Sequence, residues 1–153
     1  VMPFAEQAAE KIGVAPEFLV AQSALESAWG SKVAADSRGA TSHNLFGIKA
    51  DKSWDGPVAG TKTLEFEGGA AIRQQANFRK YDNIGESFTD YVEFLQSNPR
   101  YKSAISDASD PNKFATALQD AGYATDPMYA TKIQAVMKSD VMRNALVDAS
   151  KQG

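Results

Sequence analysis

Apolar residues recur at helical spacing at the start of the chain. A first helix is predicted before Gly13 from four residues that share one face: Phe4, Ala8, Ala9 and Ile12. A second helix is predicted from Pro16, which suits a first helical turn, to Gly30. Its apolar stripe contains Phe18, Leu25 and Trp29. The two segments therefore predict an antiparallel or angled helix pair.

The helical period is lost between residues 31 and 60, where glycine and proline interrupt the chain repeatedly. We expect irregular structure there, and loops of this length usually carry function. Residues 61–66 and 72–78 then alternate polar with apolar side chains on either side of Gly68-Gly69. That alternation around a turn signal predicts a β-hairpin.

The helical period returns in the second half of the chain. Asp82 or Asn83 caps a predicted helix that ends at Asn98-Pro99 and whose apolar face contains Ile84, Phe88, Tyr91, Val92 and Leu95. A short helical segment follows around residues 101–105, and Asp110-Pro111 starts another helix. Asp126-Pro127 repeats this pairing before the last strong face, which contains Tyr129, Ile133, Val136 and Met137. We expect a mainly α (α+β) fold in which a hairpin-bearing insertion faces a helical lobe, with a groove for an extended polymer between them.

Composition limits the class of protein. The chain has 153 residues, 43% of them hydrophobic and 23% charged, which is typical of a single globular domain. It contains neither a run of about eighteen apolar residues, which a membrane span requires, nor a signal peptide. Because the first residue is Val1, we expect the single domain 1–153 to be cut from a longer precursor.

Charge and ligand residues exclude several kinds of site. The net charge of -3, with basic residues scattered along the chain, argues against a nucleic-acid partner and favours a neutral or mixed-charge polymer. Cysteine is absent and His43 is the single histidine, so thiolate and paired-histidine metal sites are excluded. We expect neither a metal nor a cofactor.

Glu26 is the first candidate for catalysis. At about 100° per residue it lies roughly 60° to 80° from the centre of the apolar stripe on the second helix, at the edge of the buried face. Partial burial disfavours the ionised carboxylate and raises its pKa, so the side chain can serve as a general acid near neutral pH. The alternative is a solvated charge at the border of an amphipathic helix.

Three segments resemble a known family. ALESAWG at residues 24–30, NLFGIK at residues 44–49 and AGYATDP at residues 121–127 resemble, in this order, motifs of the glucosaminidases of glycoside hydrolase family 73. The resemblance implies a lysozyme-like fold, cleavage of the β-1,4 bond between N-acetylglucosamine and N-acetylmuramic acid in peptidoglycan, and Glu26 as the catalytic acid. The most similar members join this domain to one for flagellar rod assembly. They imply a periplasmic protein whose partners are glycan strands and flagellar rod proteins.

A second carboxylate is usual in glycoside hydrolysis, as base or as nucleophile. The candidates are Glu65, Glu67, Asp82 and Asp90. Asp90 falls opposite the apolar face of its predicted helix, so we interpret it as a solvated surface charge. Glu65 and Glu67 share one face of the hairpin, either as groove residues or as exposed strand residues, and the resemblance favours Glu65. An acetamido oxygen of the substrate is an alternative nucleophile.

Four further residues complete the predicted site. The resemblance gives Tyr123 a supporting role in catalysis, although a tyrosine packed beneath a loop is an alternative. Asn44, Phe46 and Trp54 suit sugar binding, because aromatic rings stack on pyranoses and amides bond to hydroxyl and acetamido groups. Phe46 also suits the core of the insertion, which is the interpretation we favour.

Two rival functions stay open from the sequence. A muramidase or lytic transglycosylase shares the fold and the acidic glutamate but cuts the alternate bond. A non-catalytic wall-binding module would keep the groove without the chemistry.

Overall fold

The computed structural model describes residues 2–30, 32–140 and 142–144, and most of them lie in helices or in one hairpin. In chain order the elements are α1 (Met2–Ile12), α2 (Pro16–Ser27), β1 (Val58–Glu67), β2 (Ala70–Arg79), α3 (Ile84–Ser97), a 3-10 turn (Pro99–Tyr101), α4 (Lys102–Ser106), α5 (Pro111–Asp120) and α6 (Tyr129–Met137). The mainly α fold with a hairpin-bearing insertion is confirmed. None of the helices in these ranges is long and apolar enough to cross a bilayer.

Helix α2 lies at the centre of the helical lobe, where α1 and α6 pack against it. Phe18 and Leu19 on α2 are fully buried, and the Phe18 ring meets the edge of Phe114 at a centroid distance of 4.9 Å. Phe46, from the irregular insertion, stacks on Tyr91 of α3 at 4.3 Å. The core of the helical lobe thus extends into the insertion through one aromatic ring.

The end of α2 differs from the prediction. The helix ends at Ser27, because Ala28 and Trp29 adopt left-handed backbone conformations with φ of 48° and 59°. Trp29 is 50% exposed, so its assignment to the buried stripe was wrong. This early end places Glu26 in the last turn of α2, beside the groove instead of along the body of the helix.

The predicted hairpin is confirmed, and both of its strands are longer than the sequence pattern predicted. Glu67 pairs with Ala70 across Gly68-Gly69, whose two positive φ values of 55° and 84° are typical of a type I′ turn. An isolated bridge between Lys49 and Phe78 connects the irregular insertion to β2. The hairpin and the insertion therefore form one lobe.

Two of the three predicted helix caps are confirmed. The Asn83 side chain accepts a hydrogen bond from the Glu86 amide at the start of α3, and Asp110 caps α5. Asp126 instead accepts from the amide of Met128 at 2.8 Å, in a turn that precedes α6. Asp126-Pro127 therefore shapes a loop rather than capping the helix.

Arg79 joins the small lobe to α3. Its guanidinium is buried and donates to the carboxylate of Asp90 at 2.9 and 3.2 Å. The rings of Trp54 and Phe94 lie 5.1 and 5.2 Å from its central carbon. The interpretation of Asp90 as a solvated charge was therefore wrong, because its partner comes from a strand that helix periodicity cannot reveal.

Candidate active site

A groove of about 1110 Å³ lies between the two lobes. It is lined by the end of α2, the NLFGIK loop, the hairpin and the loop before α6. Among its lining residues are Glu26, Gly47, Lys49, Glu65, Tyr123 and Tyr129. Three of the predicted catalytic side chains, on Glu26, Glu65 and Tyr123, therefore face one cavity.

Glu26 is half-buried at this groove. Burial raises the pKa of its carboxyl from 4.5 to about 7, against a hydrogen bond from Tyr129 that lowers it. The negative charge of Glu65 raises the pKa further, and Lys49 opposes that effect. The side chain is thus suited to hold a proton near neutral pH, as a general acid must.

Gly47 makes room for the Glu26 carboxyl group. Its φ of 65° is left-handed, and a Cβ atom there would lie 2.9 Å from Oε2 of Glu26. The glycine therefore serves two needs, since it adopts a conformation that L side chains rarely take and leaves the acid unobstructed.

Glu65 is held in place by two groups from different segments. Its Oε1 atom lies 2.5 Å from Nζ of Lys49, and its Oε2 atom accepts from the Thr125 hydroxyl at 2.7 Å. Burial opposes ionisation of Glu65, but the hydrogen bonds from Lys49 and Thr125 outweigh it and lower the pKa of this carboxyl. Glu65 is therefore an ionised carboxylate near a carboxyl group whose pKa is raised to about 7. Opposite pKa shifts of this kind separate the roles of acid and anion in one site.

Tyr123 lines the groove, and its hydroxyl donates to the main-chain carbonyl of Phe46 at 2.8 Å. Burial raises the pKa of this phenol well above 10, so it stays protonated. The ring stacks against Tyr129 at 5.8 Å. Tyr123 thus joins the predicted site and at the same time packs beneath the NLFGIK loop.

The predicted sugar-binding residues do not all line the groove. Asn44 lines the groove, but its side-chain amide donates to the carbonyls of Ile48 and Arg79 and accepts from the Ile48 amide. Phe46 is fully buried and therefore serves as the core anchor of the insertion.

Trp54 lies among other side chains, not on the groove. Its ring packs edge-on against Tyr81 at 5.5 Å, and its Nε1 donates to the carbonyl of Pro57 at 2.8 Å. Together with the nearby Arg79 guanidinium, these contacts make it part of the connection between the lobes. The structure does not bring Trp54 together with the catalytic candidates.

Sequence reasoning missed three residues that act on the two carboxylates: Lys49 and Thr125 hydrogen-bond to Glu65, and Tyr129 lowers the pKa of Glu26. Lys49 and Thr125 belong to the NLFGIK and AGYATDP segments, and that membership was the signal available for them. Tyr129 was assigned to an apolar helix face, and no spacing rule separates a tyrosine that only packs from one that also lines the groove.

Comparisons with known proteins agree with this geometry. Residues 2–140 match the glucosaminidase family, described as mannosyl-glycoprotein endo-beta-N-acetylglucosaminidase. The chain is 49% identical to the peptidoglycan hydrolase FlgJ of Pseudomonas aeruginosa, over 90% of this chain and 34% of that one. This chain therefore spans about a third of that relative's length.

Two solved structures share the fold. The peptidoglycan hydrolase from Sphingomonas sp. A1 superposes with a TM-score of 0.84 at 38% identity, covering 96% of this chain and 89% of that one. The glycoside hydrolase domain of Salmonella typhimurium FlgJ superposes with a TM-score of 0.72 at 38% identity, covering 99% and 89%. The expected lysozyme-like build is thereby confirmed.

Proposed function

This chain belongs to the glucosaminidase family, and from that membership we propose that it hydrolyses peptidoglycan at the β-1,4 bond between N-acetylglucosamine and N-acetylmuramic acid. The observation that carries the proposal is the pair of carboxyl groups in one groove, with the pKa of Glu26 raised to about 7 and that of Glu65 lowered. The names of the relatives supply the substrate class, since FlgJ is called a peptidoglycan hydrolase.

In the proposed reaction Glu26 gives its proton to the oxygen that links the two sugars, so that the leaving sugar departs as a neutral alcohol. Positive charge then develops on the N-acetylglucosamine ring. The Glu65 carboxylate stabilises that charge or accepts a proton from the attacking water. Tyr123 orients the acetamido group of the sugar or the intermediate. With Glu65 held by Lys49 and Thr125, its position is set before substrate binds.

Replacement of the acid tests the proposal directly. Glu26→Gln keeps the size of the side chain but removes the transferable proton, so turbidity loss of purified cell walls should fall to background while the circular dichroism spectrum stays unchanged. A matched control is Glu10→Gln on α1, which removes a carboxylate from an exposed position. Activity retained by Glu26→Gln would overturn the proposal.

Product analysis distinguishes the rival functions. Digested walls are reduced with borohydride and analysed by mass spectrometry, so that the sugar at the new reducing end identifies the bond. N-acetylglucosaminitol supports the proposed cleavage. N-acetylmuramitol indicates a muramidase, and an anhydro sugar indicates a lytic transglycosylase. Sedimentation with walls and no product would indicate a wall-binding module.

The cellular setting belongs to the same proposal. We place the domain in the periplasm, where it would open peptidoglycan for flagellar rod assembly as part of a longer protein. The support is its 49% identity to FlgJ of Pseudomonas aeruginosa. Co-purification of the full-length protein with rod proteins tests this setting.

A further inference from the structure

The NLFGIK loop lies against both carboxyl groups of the proposed site. A Cβ atom on Gly47 would lie 2.9 Å from Oε2 of Glu26. Two residues later, Nζ of Lys49 lies 2.5 Å from Oε1 of Glu65. Only Ile48 separates these two positions in the chain. The peptide units on either side of Ile48 therefore govern how the loop meets the acid and the second carboxylate.

The Asn44 side chain fixes both of these peptide units. Its Oδ1 accepts from the Ile48 amide at 3.2 Å, and that amide belongs to the peptide unit that follows Gly47. Its Nδ2 donates at 2.8 Å to the carbonyl of Ile48, which belongs to the peptide unit that precedes Lys49. One side-chain amide thus orients the main chain next to each residue that meets a carboxyl group.

The same amide connects the loop to the hairpin. Nδ2 of Asn44 also donates to the carbonyl of Arg79 on β2 at 2.9 Å. The Arg79 main-chain amide donates to the Ile48 carbonyl at 3.0 Å, and its Nε donates to the Lys49 carbonyl at 3.2 Å. Strand β2 pairs with β1, which carries Glu65. The loop that holds Lys49 and the hairpin that holds Glu65 are therefore joined at Asn44.

Asn44 has no donor left for a substrate. An asparagine amide carries two N–H donors, and here both go to main-chain carbonyls, while its oxygen accepts from a main-chain amide. The residue is only 4% exposed. Although Asn44 lines the groove, these contacts favour a role in holding the loop over a role in binding a sugar.

Loss of this amide would leave a buried donor without its partner. Ile48 is 3% exposed, and its N–H donates to Oδ1 of Asn44. Because an unpaired buried N–H is costly, we expect the peptide unit between Gly47 and Ile48 to turn towards another acceptor. That movement would shift the main chain beside Glu26 and weaken the hold of Lys49 on its partner.

We propose that Asn44 is a positioning residue for the hydrolase reaction, and that its amide sets the spacing between the carboxyl groups of Glu26 and Glu65. It acts through Gly47 and Lys49 and needs no contact with substrate. The inference rests on the proposed function of the two carboxyl groups.

Asn44 carries no charge, so its removal changes the pKa of Glu65 only through the groups that it holds. Burial raises that pKa, but the hydrogen bonds from Lys49 and Thr125 and the charge of Lys49 lower it and prevail. Glu26 is the other carboxyl group coupled to Glu65 across the groove. Displacement of Lys49 should therefore raise the pKa of Glu65, which makes this pKa a measure of loop position.

Replacement of the amide tests the proposal. Asn44→Leu keeps a similar volume but removes all three hydrogen bonds. We expect kcat on soluble peptidoglycan fragments to fall about tenfold with KM within about twofold, because the two carboxyl groups are misplaced while the groove is intact. The pKa of Glu65 should rise in the same variant. A raised KM with parental kcat and a parental Glu65 pKa would instead make Asn44 a sugar-binding residue and overturn the proposal.

A double substitution tests whether Asn44 acts through Lys49. Lys49→Met removes the ammonium group and should itself raise the pKa of Glu65. Addition of Asn44→Leu to this variant should then raise that pKa no further, since residues that act through one another are not additive. A further rise as large as the one that Asn44→Leu causes in the parent would contradict the proposed route.

Direct titration keeps this test separate from the proposed function. The Glu65 carboxyl is followed by carbon-13 NMR and identified by its absence from the Glu65→Gln spectrum, so its pKa is measured without substrate. If the parent protein fails to cleave walls, the proposed function fails whatever the titration shows. If the parent cleaves walls but Asn44→Leu keeps the parental kcat and Glu65 pKa, the positioning role is overturned.

Two further variants guard against a purely structural effect. Ser87→Ala removes a buried hydroxyl that donates within α3, to the carbonyl of Ile84, and should leave kcat and the pKa of Glu65 unchanged. Asn44→Ser carries the test should Asn44→Leu fail to fold, because a hydroxyl has one proton and cannot replace both N–H donors. We expect it to change kcat and the Glu65 pKa in the same directions. A lower melting temperature with both quantities parental would assign Asn44 to stability alone.

Discussion

Burial of the Glu26 carboxyl group both lowers the stability of the fold and supplies a general acid. Burial disfavours its charged form and raises its pKa from 4.5 to about 7, so the folded protein binds a proton that the unfolded chain releases. The same effect that supplies a general acid therefore reduces stability at neutral and alkaline pH. Function and stability oppose each other at this residue.

The pH dependence of stability follows from that shift. Below pH 4.5 Glu26 is protonated in both states and contributes no penalty; between pH 4.5 and about 7 the folded state holds the extra proton, so stability falls as pH rises. A shift of this size corresponds to roughly 3 kcal/mol at most. We expect Glu26→Gln to unfold at higher denaturant concentration than the parent at pH 8 and at a similar concentration at pH 4. Equal differences at both pH values would contradict a buried, raised-pKa carboxyl.

Gly47 offers a second prediction at this scale. Gly47→Ala forces a left-handed alanine, which costs about 1–2 kcal/mol, and sets a methyl group 2.9 Å from Oε2 of Glu26. We expect loss of wall cleavage together with a lower melting temperature. Gly39→Ala is the matched control, because Gly39 also has a positive φ but meets nothing within 4 Å. It should share the stability loss and keep the activity, and equal activities in the two variants would contradict the close-approach argument.

Residue roles were predictable where they depend on local pattern. Glu26 was identified from its angle to an apolar stripe and from motif resemblance, and its half-buried position is confirmed. The groups that partly offset its raised pKa were not predictable, because Tyr129 and Lys49 come from segments distant in sequence. Trp54 illustrates the same limit, since its ring packs against Arg79, which lies just beyond the predicted second strand and was given no role from the sequence.

At the scale of elements, Thr125 links the hairpin to the loop before α6. Its hydroxyl donates to Glu65 at 2.7 Å and accepts from the amide of Phe66 at 3.0 Å. One side chain thereby connects the catalytic strand to the opposite wall of the groove. The position of Glu65 depends on this connection as well as on Lys49.

Removal of the Thr125 hydroxyl should loosen the hairpin. Thr125→Val keeps the shape of the side chain but loses both hydrogen bonds, so we expect faster amide exchange at Phe66 and a fall of about tenfold in kcat. Thr89→Val on α3 is the control, because it removes a hydroxyl bonded only within its own helix, to the carbonyl of Gly85. Parental exchange at Phe66 in Thr125→Val would show that other contacts hold the hairpin.

Element boundaries were predictable where a specific residue marks them. Asn98-Pro99 and Gly68-Gly69 gave the end of α3 and the hairpin turn, since proline and consecutive glycines restrict the backbone locally. The end of α2 was misplaced by three residues because Ala28 and Trp29 take left-handed conformations without a glycine signal.

At the scale of the whole molecule, charge is distributed unevenly. Among the described residues, the groove is lined by the basic side chains of Lys32, Lys49, Lys62, Arg73, Arg100 and Lys132. Its acidic side chains are those of Glu26, Asp51, Glu65 and Asp126. The groove is thus net positive in a chain whose net charge is -3, and it is more positive still when Glu26 is protonated. The sequence predicted no basic patch, because these residues are scattered along the chain and only the fold collects them.

This charge distribution predicts that ionic strength controls the rate on an anionic wall. Peptidoglycan carries carboxylates, and salt screens exposed charges over about 8 Å at physiological strength, so kcat/KM should fall between about 20 and 300 mM salt. The double substitution Lys62→Gln and Arg73→Gln, on the hairpin wall of the groove, should lower kcat/KM at low salt and flatten this dependence. Lys102→Gln with Lys113→Gln removes the same charge from exposed positions outside the groove and should leave the salt dependence as in the parent. If both double variants respond alike, net charge rather than its concentration in the groove governs encounter with the wall, and the local electrostatic argument fails.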